Sequence, residues 1–288
     1  MCRNETIAGR LREAADLLEE QQANPFRVRA YRRAAQTIAD LPAGIDSLFA
    51  RAGMNGLEAL PGIGPSLAAA IAEMVRTGRW AQLERLHGAA EPEKLFRAGP
   101  GIGPALARRL HDTLHVDTLA ALETAAHDGR LESVPGIGRR RLAALRAALA
   151  TMLQRTRRSP PSLEQEPSVE ILLDVDAEYR AKADSLPKIA PKRFNPKGEA
   201  WLPILHIERG PWRFTVLFSN TARAHELDRI GDWVVVYFHT DTEPEGQRTV
   251  VTEGGGELVG RRVVRGREEE CRLYYSRSAT AATRVETH

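Results

Sequence analysis

Leu60-Pro61-Gly62-Ile63-Gly64, Gly99-Pro100-Gly101-Ile102-Gly103 and Val134-Pro135-Gly136-Ile137-Gly138 are three copies of one short pattern, spaced 39 and 35 residues apart. Each leads into an alanine- and leucine-rich stretch of helical character, at residues 67–75, 105–114 and 142–153. One Pro-Gly-Ile-Gly fits any turn. Three copies, each opening a helix, make an internal repeat. The glycines allow backbone angles closed to other residues and remove the Cβ that would hold a ligand away. Ile63, Ile102 and Ile137 can then point inward and pin the turn. Beyond each turn, the first amides of the helix lack intrahelical partners, and the helix dipole is positive there. Such an end accepts a phosphate oxygen.

These residue types form the helix-hairpin-helix pattern, which holds the sugar-phosphate backbone without reading bases. The predicted phosphate contacts are Gly62, Ile63, Gly64, Gly101, Ile102, Gly103, Gly136, Ile137 and Gly138. Arg139, Arg140 and Arg141 follow the third copy directly, and Arg108 and Arg109 lie one turn beyond the second. Pro65 and Ser66 follow the first, with no cation adjacent in sequence. The second and third copies are therefore expected to bind more strongly. A purely structural hairpin, joining two helices and nothing more, is the competing account of any one copy.

Charge and composition agree with a polyanion-binding half. Residues 1–160 hold 23 Lys+Arg against 17 Asp+Glu, and residues 161–288 hold 18 against 21. Only the first half is basic enough to favour nucleic acid. All of its cations except Lys94 are arginine, which suits bidentate phosphate pairing, although a GC-rich genome gives the same bias. The longest apolar runs, residues 67–72 and 233–238, have six residues each, and a spanning helix needs about 20. Cys2 and Cys271 are too few for a disulfide framework or a four-thiolate zinc site. No signal-peptide pattern opens the chain. An intracellular, cytoplasmic protein is expected, nucleoid-associated if bacterial.

The segment Asn24-Pro-Phe-Arg-Val-Arg-Ala-Tyr-Arg-Arg-Ala-Ala35, the first hairpin with its helix through Thr77-Gly78, and the later hairpins together resemble the N-terminal DNA-binding part of family X (polymerase beta-like) DNA polymerases over residues 5–155. The resemblance implies a helical domain like the polymerase lyase domain, followed by a duplex-gripping segment. It also implies a monovalent cation (K⁺ or Na⁺) at the hairpins, gapped or nicked DNA as ligand, and a role in DNA repair. Arg27 and Tyr31 match its 5′-phosphate pocket. Two departures limit it. The lyase lysine position is Ala70, and other pocket lysines correspond to Ser66 and Gln82, so no lyase nucleophile is expected. The palm is missing as well: Asp174-Val175-Asp176 has the paired form, but no glycine turn precedes it, and Asp176 reads more simply as a helix N-cap. A polymerase is not expected.

The remainder of the chain alternates between strand-like and helical runs. Residues 204–208, 213–218, 233–239, 248–252 and 258–264 read as strands, Gly254-Gly255-Gly256 as a hairpin loop, and residues 221–228 and 268–275 as short helices. His206 and Glu208 share one strand face, as do His239 and Asp241. With His225, Glu226 and Asp228 near in sequence, they are candidates for a metal-dependent site, though solvated strand ends are the plainer reading. Lys192, Arg193, Phe194 and Lys197 combine cations and an aromatic ring in one loop, a candidate second nucleic-acid contact.

The expected architecture is multidomain. It has an all-α helix-hairpin-helix half, divided into residues 1–90 and 91–157, a linker over 158–168, and an α+β domain over 169–288 with a mostly antiparallel sheet. The expected function is sequence-independent DNA binding in repair or maintenance, with RNA left open. The alternative is a metal-dependent nuclease or other nucleic-acid-modifying enzyme whose divalent metal sits in the C-terminal domain. A protein partner for that domain is a third reading.

Overall fold

The computed structural model describes residues 3–88, 92–97, 99, 101–114, 116–152, 166–241 and 245–285. Five helices open the chain: α1 (Arg3–Glu20), α2 (Pro25–Ala39), α3 (Ile45–Glu58), α4 (Pro65–Thr77) and α5 (Ala81–Leu86). The Asn24-Pro25 signal works as its chemistry requires. Asn24 Oδ1 accepts from the Phe26 amide at 2.8 Å, and Pro25 occupies the first helical position, where no N–H is needed. A second helical unit follows, made of α6 (Pro92–Phe96), α7 (Pro104–Leu114), α8 (Leu119–His127) and α9 (Arg139–Met152). Its core is closed by Phe96, Leu106, Leu110, Leu122, Leu131 and Leu145.

Helix α10 (Val169–Lys182) leads into six strands: β1 (Lys188–Ile189), β2 (Leu202–Arg209), β3 (Trp212–Phe218), β4 (Val234–His239), β5 (Gly246–Thr252) and β6 (Arg262–Val264). They form one antiparallel meander in sequence order. The short α11 (Ala222–Glu226) joins β3 to β4, and α12 (Glu268–Val285) follows β6. This is the expected combination of a helical half and an antiparallel α+β region. In detail, the run at 258–264 divides into a 3-10 turn (Gly256–Leu258) and the three-residue β6. Most of the expected 158–168 linker lies outside the described residues.

The sheet is buried on both faces. Leu205, Phe214, Val216, Val236 and Val250 pack against Leu172, Val175, Tyr179 and Cys271 of α10 and α12. The opposite face, with Leu202, Ile204, Leu217, Val235 and Tyr237, closes the core of the first helical unit together with Leu11, Leu18, Ile38 and Ile71. All six residues of β4 are buried, which accounts for its unbroken apolar run: a strand covered on both sides has no polar face to alternate with.

Helix α10 corrects the reading of its aspartates. Its N-cap is Ser168, whose side chain accepts from the Ile171 amide at 3.3 Å. Asp176 lies in mid-helix, buried, with its carboxylate 2.6 and 3.0 Å from the Arg262 guanidinium and 3.1 Å from Arg180. Asp174 pairs with Arg209 at 2.9 Å. Each aspartate thus answers an arginine, and the two do not face a shared ion.

Candidate nucleic-acid interface

All three hairpins repeat one hydrogen-bond scheme. The isoleucine amide of each closes the turn: Ile63 to Leu60 O at 3.1 Å, Ile102 to Gly99 O at 3.2 Å and Ile137 to Val134 O at 3.2 Å. The next helix then starts on the second glycine, with Ala68, Ala107 and Leu142 each donating to Gly64, Gly103 and Gly138 O at 2.9 Å. Amides between these points, such as Ser66 and Leu67 in the first copy, precede the first intrahelical bond and have no acceptor within the helix. Ile63 and Ile102 are buried as expected, and Ile137 is half-buried against the second unit's core. The glycine before the isoleucine of each copy sits at positive φ (Gly62 +75°, Gly101 +79°, Gly136 +85°), where a side chain is strained.

The hairpins differ in what surrounds them. At the third, Gly136, Gly138, Arg139, Arg140 and Arg141 are exposed. Arg141 Nη1 donates to Gly136 O at 3.3 Å. The guanidinium of Arg109, from α7, reaches the same turn: a Cβ on Gly136 would stand 3.1 Å from its Nη1. The chain thus brings Arg109 to the third hairpin, not merely to the second it follows in sequence. At the second, Gly101, Gly103, Pro104, Ala105 and Arg108 are all exposed. Among the described residues no carboxylate pairs with Arg108, Arg109, Arg139, Arg140 or Arg141.

The first hairpin is partly covered. Gly64, Pro65, Ser66 and Leu67 are only half exposed, and the chain after β4 crosses the turn, placing Asp241 O 3.4 Å from where a Gly64 Cβ would lie. The structure does supply a cation here. Arg33 of α2 packs on Gly62 closely enough that a Cβ would meet its Cδ at 2.8 Å, and Thr37, one turn on, donates to Pro61 O at 2.9 Å. No adjacency in sequence announces Arg33, 29 residues upstream of Gly62. The only signal is that Arg33 and Thr37 stand at i, i+4 on one face of α2.

Arg27 and Tyr31 do not form an open 5′-phosphate pocket. Arg27 is 7% exposed beneath the sheet, its Nη1 3.5 Å from Thr215 Oγ1. Tyr31 stacks on Trp80 and donates to Gln82 Oε1 at 3.0 Å. Ala70 is buried with them. The face that the polymerase resemblance marks as a DNA pocket is here a core surface under β2, β3 and β4.

The strand residues considered for a metal are also engaged. His206 is packed at the same interface, with Nδ1 3.1 Å from Thr215 Oγ1 and Nε2 3.0 Å from Gln21 Oε1. Burial, reinforced by the positive charge of Arg27, holds its pKa well below that of a free histidine. Burial likewise pushes His239 down to about 3, again with Arg27 nearby. Glu208 and the exposed Asp241 both pair with Arg213. Within each strand the two side chains share a face, as their spacing predicts, and the register of β2, β3 and β4 puts both pairs on the same sheet face, yet the four do not converge on one point. Among the described residues, the one group of three metal-capable side chains is Glu93, His111 and Asp112, in the second helical unit.

In the loop before β2, Lys192 and Lys197 are exposed, whereas Arg193 donates to both oxygens of Glu93 at 3.0 and 3.2 Å. The Phe194 ring, 46% exposed, lies 4.2 Å from that of His225. Lys192 and one half-covered ring remain available to a ligand, and Lys197 pairs loosely with Glu199 at 3.9 Å.

A family model described as a helix-hairpin-helix domain matches residues 2–80, and one described as a SAM-like helix-hairpin-helix tandem matches residues 100–151. No curated protein matches the chain. The chain therefore carries two helix-hairpin-helix domains in its N-terminal half, a type of domain associated with sequence-independent nucleic-acid binding.

Proposed function

We propose that the protein is a sequence-independent DNA-binding protein that grips backbone phosphates chiefly through its second and third hairpins. The observation that carries this reading is the exposed start of α9, where amides with no acceptor within the helix meet Arg109, Arg139, Arg140 and Arg141 on one turn. Amides at a helix start and arginine forks act on the same anion. The second hairpin supplies a like surface with Arg108. Two phosphate grips on one rigid unit, at neighbouring turns, suit the regular spacing of a duplex backbone better than a flexible strand. The first hairpin, half covered by the C-terminal sheet and flanked by Asp241, contributes less. Its role passes to anchoring the sheet. Gapped or nicked repair intermediates are the preferred substrates under the polymerase resemblance. Competition of intact, nicked and gapped duplexes of one sequence for the full chain tests that preference, and equal affinity for all three contradicts it.

A further inference from the structure

Two buried polar atoms of the second unit have no hydrogen-bond partner: His111 Nδ1 and Asp112 Oδ1. They face each other at 3.6 Å, and Glu93 Oε1 lies 3.3 Å from the same nitrogen. The three candidate ligand atoms all lie within 4.8 Å of one another. Buried groups without a partner are uncommon and point to an ion or water between them. On the far side of the ring, His111 Nε2 stands 3.0 Å from Asp117 Oδ1, and Asp117 in turn accepts from the Tyr237 hydroxyl and carries its own amide bond to Gln247 at 2.8 Å. A carboxylate on Nε2 holds an imidazole proton there and turns Nδ1 toward Glu93 and Asp112. That is how metal-binding histidines are oriented. Despite its burial, the imidazole, ringed by Asp117, Glu93 and Asp112, is held well above the ordinary histidine range, so an ion at Nδ1 takes the place of a proton there.

We propose that Glu93, His111 and Asp112 bind one divalent transition-metal ion of the zinc class. One imidazole and two carboxylates are donors that zinc accepts, with water completing the shell. Bonds of about 2.05 Å in a tetrahedral shell put neighbouring ligand atoms about 3.3 Å apart, close to the 3.3 and 3.6 Å seen from Nδ1. Arg193 donates to both oxygens of Glu93, each of which retains a second lone pair for the ion. Asp112, one-third exposed, gives the ion its way in from solvent. Because Glu93 stands on α6 and the other two on α7, the ion staples the helices on either side of the second hairpin. The five-residue α6 is too short to be stable alone.

Chelator-treated full-length protein is titrated with Zn²⁺ by calorimetry, and with Co²⁺ while its visible absorption is followed. The site predicts one ion per chain, a Co²⁺ band of reduced coordination symmetry, and a higher melting temperature with Zn²⁺ than without. Asp112→Asn, which keeps the side chain's volume, and His111→Gln each lower affinity at least tenfold. His127→Gln, on the exposed end of α8, leaves it unchanged. Melting in EDTA shows that Asp112→Asn is folded, since it should match the wild type there. Absence of binding means that a proton on Nδ1 answers the carboxylates instead, and it overturns the proposal. So does binding that survives both ligand substitutions. No DNA enters the experiment, so its failure leaves the phosphate-grip reading untouched.

Discussion

Glu73, half-buried, and His239, buried, are ionisable side chains that the fold holds in their neutral forms. Burial pushes Glu73 up to about 8, although its Oε1 accepts from the Ala81 amide at 2.8 Å, while burial and Arg27 push His239 down to about 3. The signs differ. Between the ordinary glutamate range and about pH 8 the unfolded chain has lost the Glu73 proton and the folded chain keeps it, so stability falls as pH rises. Between the ordinary histidine range and about pH 3 the unfolded chain gains a proton at position 239 that the folded chain refuses, so stability falls as pH drops. Glu73→Gln should therefore flatten the alkaline side of a urea-midpoint profile, and His239→Gln the acid side. Profiles that keep their wild-type slopes would show that these sites are more open to water than the packing indicates. Strand alternation puts His206 with Glu208 and His239 with Asp241, but periodicity says nothing of what either face packs on. A solvated or metal-bound histidine and one packed under a helical unit have the same sequence signature. The resemblance that marks Arg27 for a 5′-phosphate is likewise blind to the sheet that covers it.

At the scale of elements, α10 is held to β6 by charge as well as by packing. Arg262 donates to Asp176 on one side and to Asp232 at 2.6 Å on the other, nearly out of reach of water. Removing one partner of a buried pair strands the other charge, at a cost of about 3–5 kcal/mol. Because Arg262 keeps Asp232, Asp176→Ala should lose toward the low end of that range, about 3 kcal/mol, by denaturant unfolding, whereas the exposed Asp174→Ala should lose under about 1 kcal/mol. Equal losses would mean that the buried pair is no stronger than a surface one. This pair also explains why α10 is hard to read. A buried aspartate in mid-helix interrupts the apolar stripe, and its partner lies 86 residues away. The hairpins are legible because their chemistry is local: glycine at positive φ, isoleucine inward, helix start outward, all within five residues. The strands are legible for a related reason, since burial on one or both faces writes alternation or an unbroken apolar run. What joins elements, such as Arg33 on Gly62 or Arg109 on Gly136, leaves no local trace.

For the whole molecule, the division into a basic helical half and a separate acidic domain gives way to a shared core. The sheet buries Leu202, Ile204, Leu217, Val235 and Tyr237 against α1–α5. Arg85 reinforces the junction: it pairs with Glu245 at 2.8 and 2.9 Å and lies 3.3 Å over the Tyr237 ring. A fragment of residues 169–288 should therefore expose that face, bind a hydrophobic dye and aggregate. A monomeric fragment with cooperative unfolding would instead restore the picture of an independent domain. In the intact chain, the same packing turns the first unit and its hairpin into a foundation and leaves the hairpins of the second unit exposed for the proposed phosphate contacts.

The central claim is that exposed helix starts and arginines of the second unit hold backbone phosphates, and the salt dependence of duplex binding by the full chain tests it most directly. Four to six engaged phosphates predict a log–log slope of about −4 to −5. Reversing Arg139, Arg140 and Arg141 to glutamate should weaken binding to unrelated sequences alike and make the slope shallower by about one unit for every phosphate no longer engaged. A wild-type affinity that does not change with salt, or a triple reversal that leaves it intact, would contradict the account.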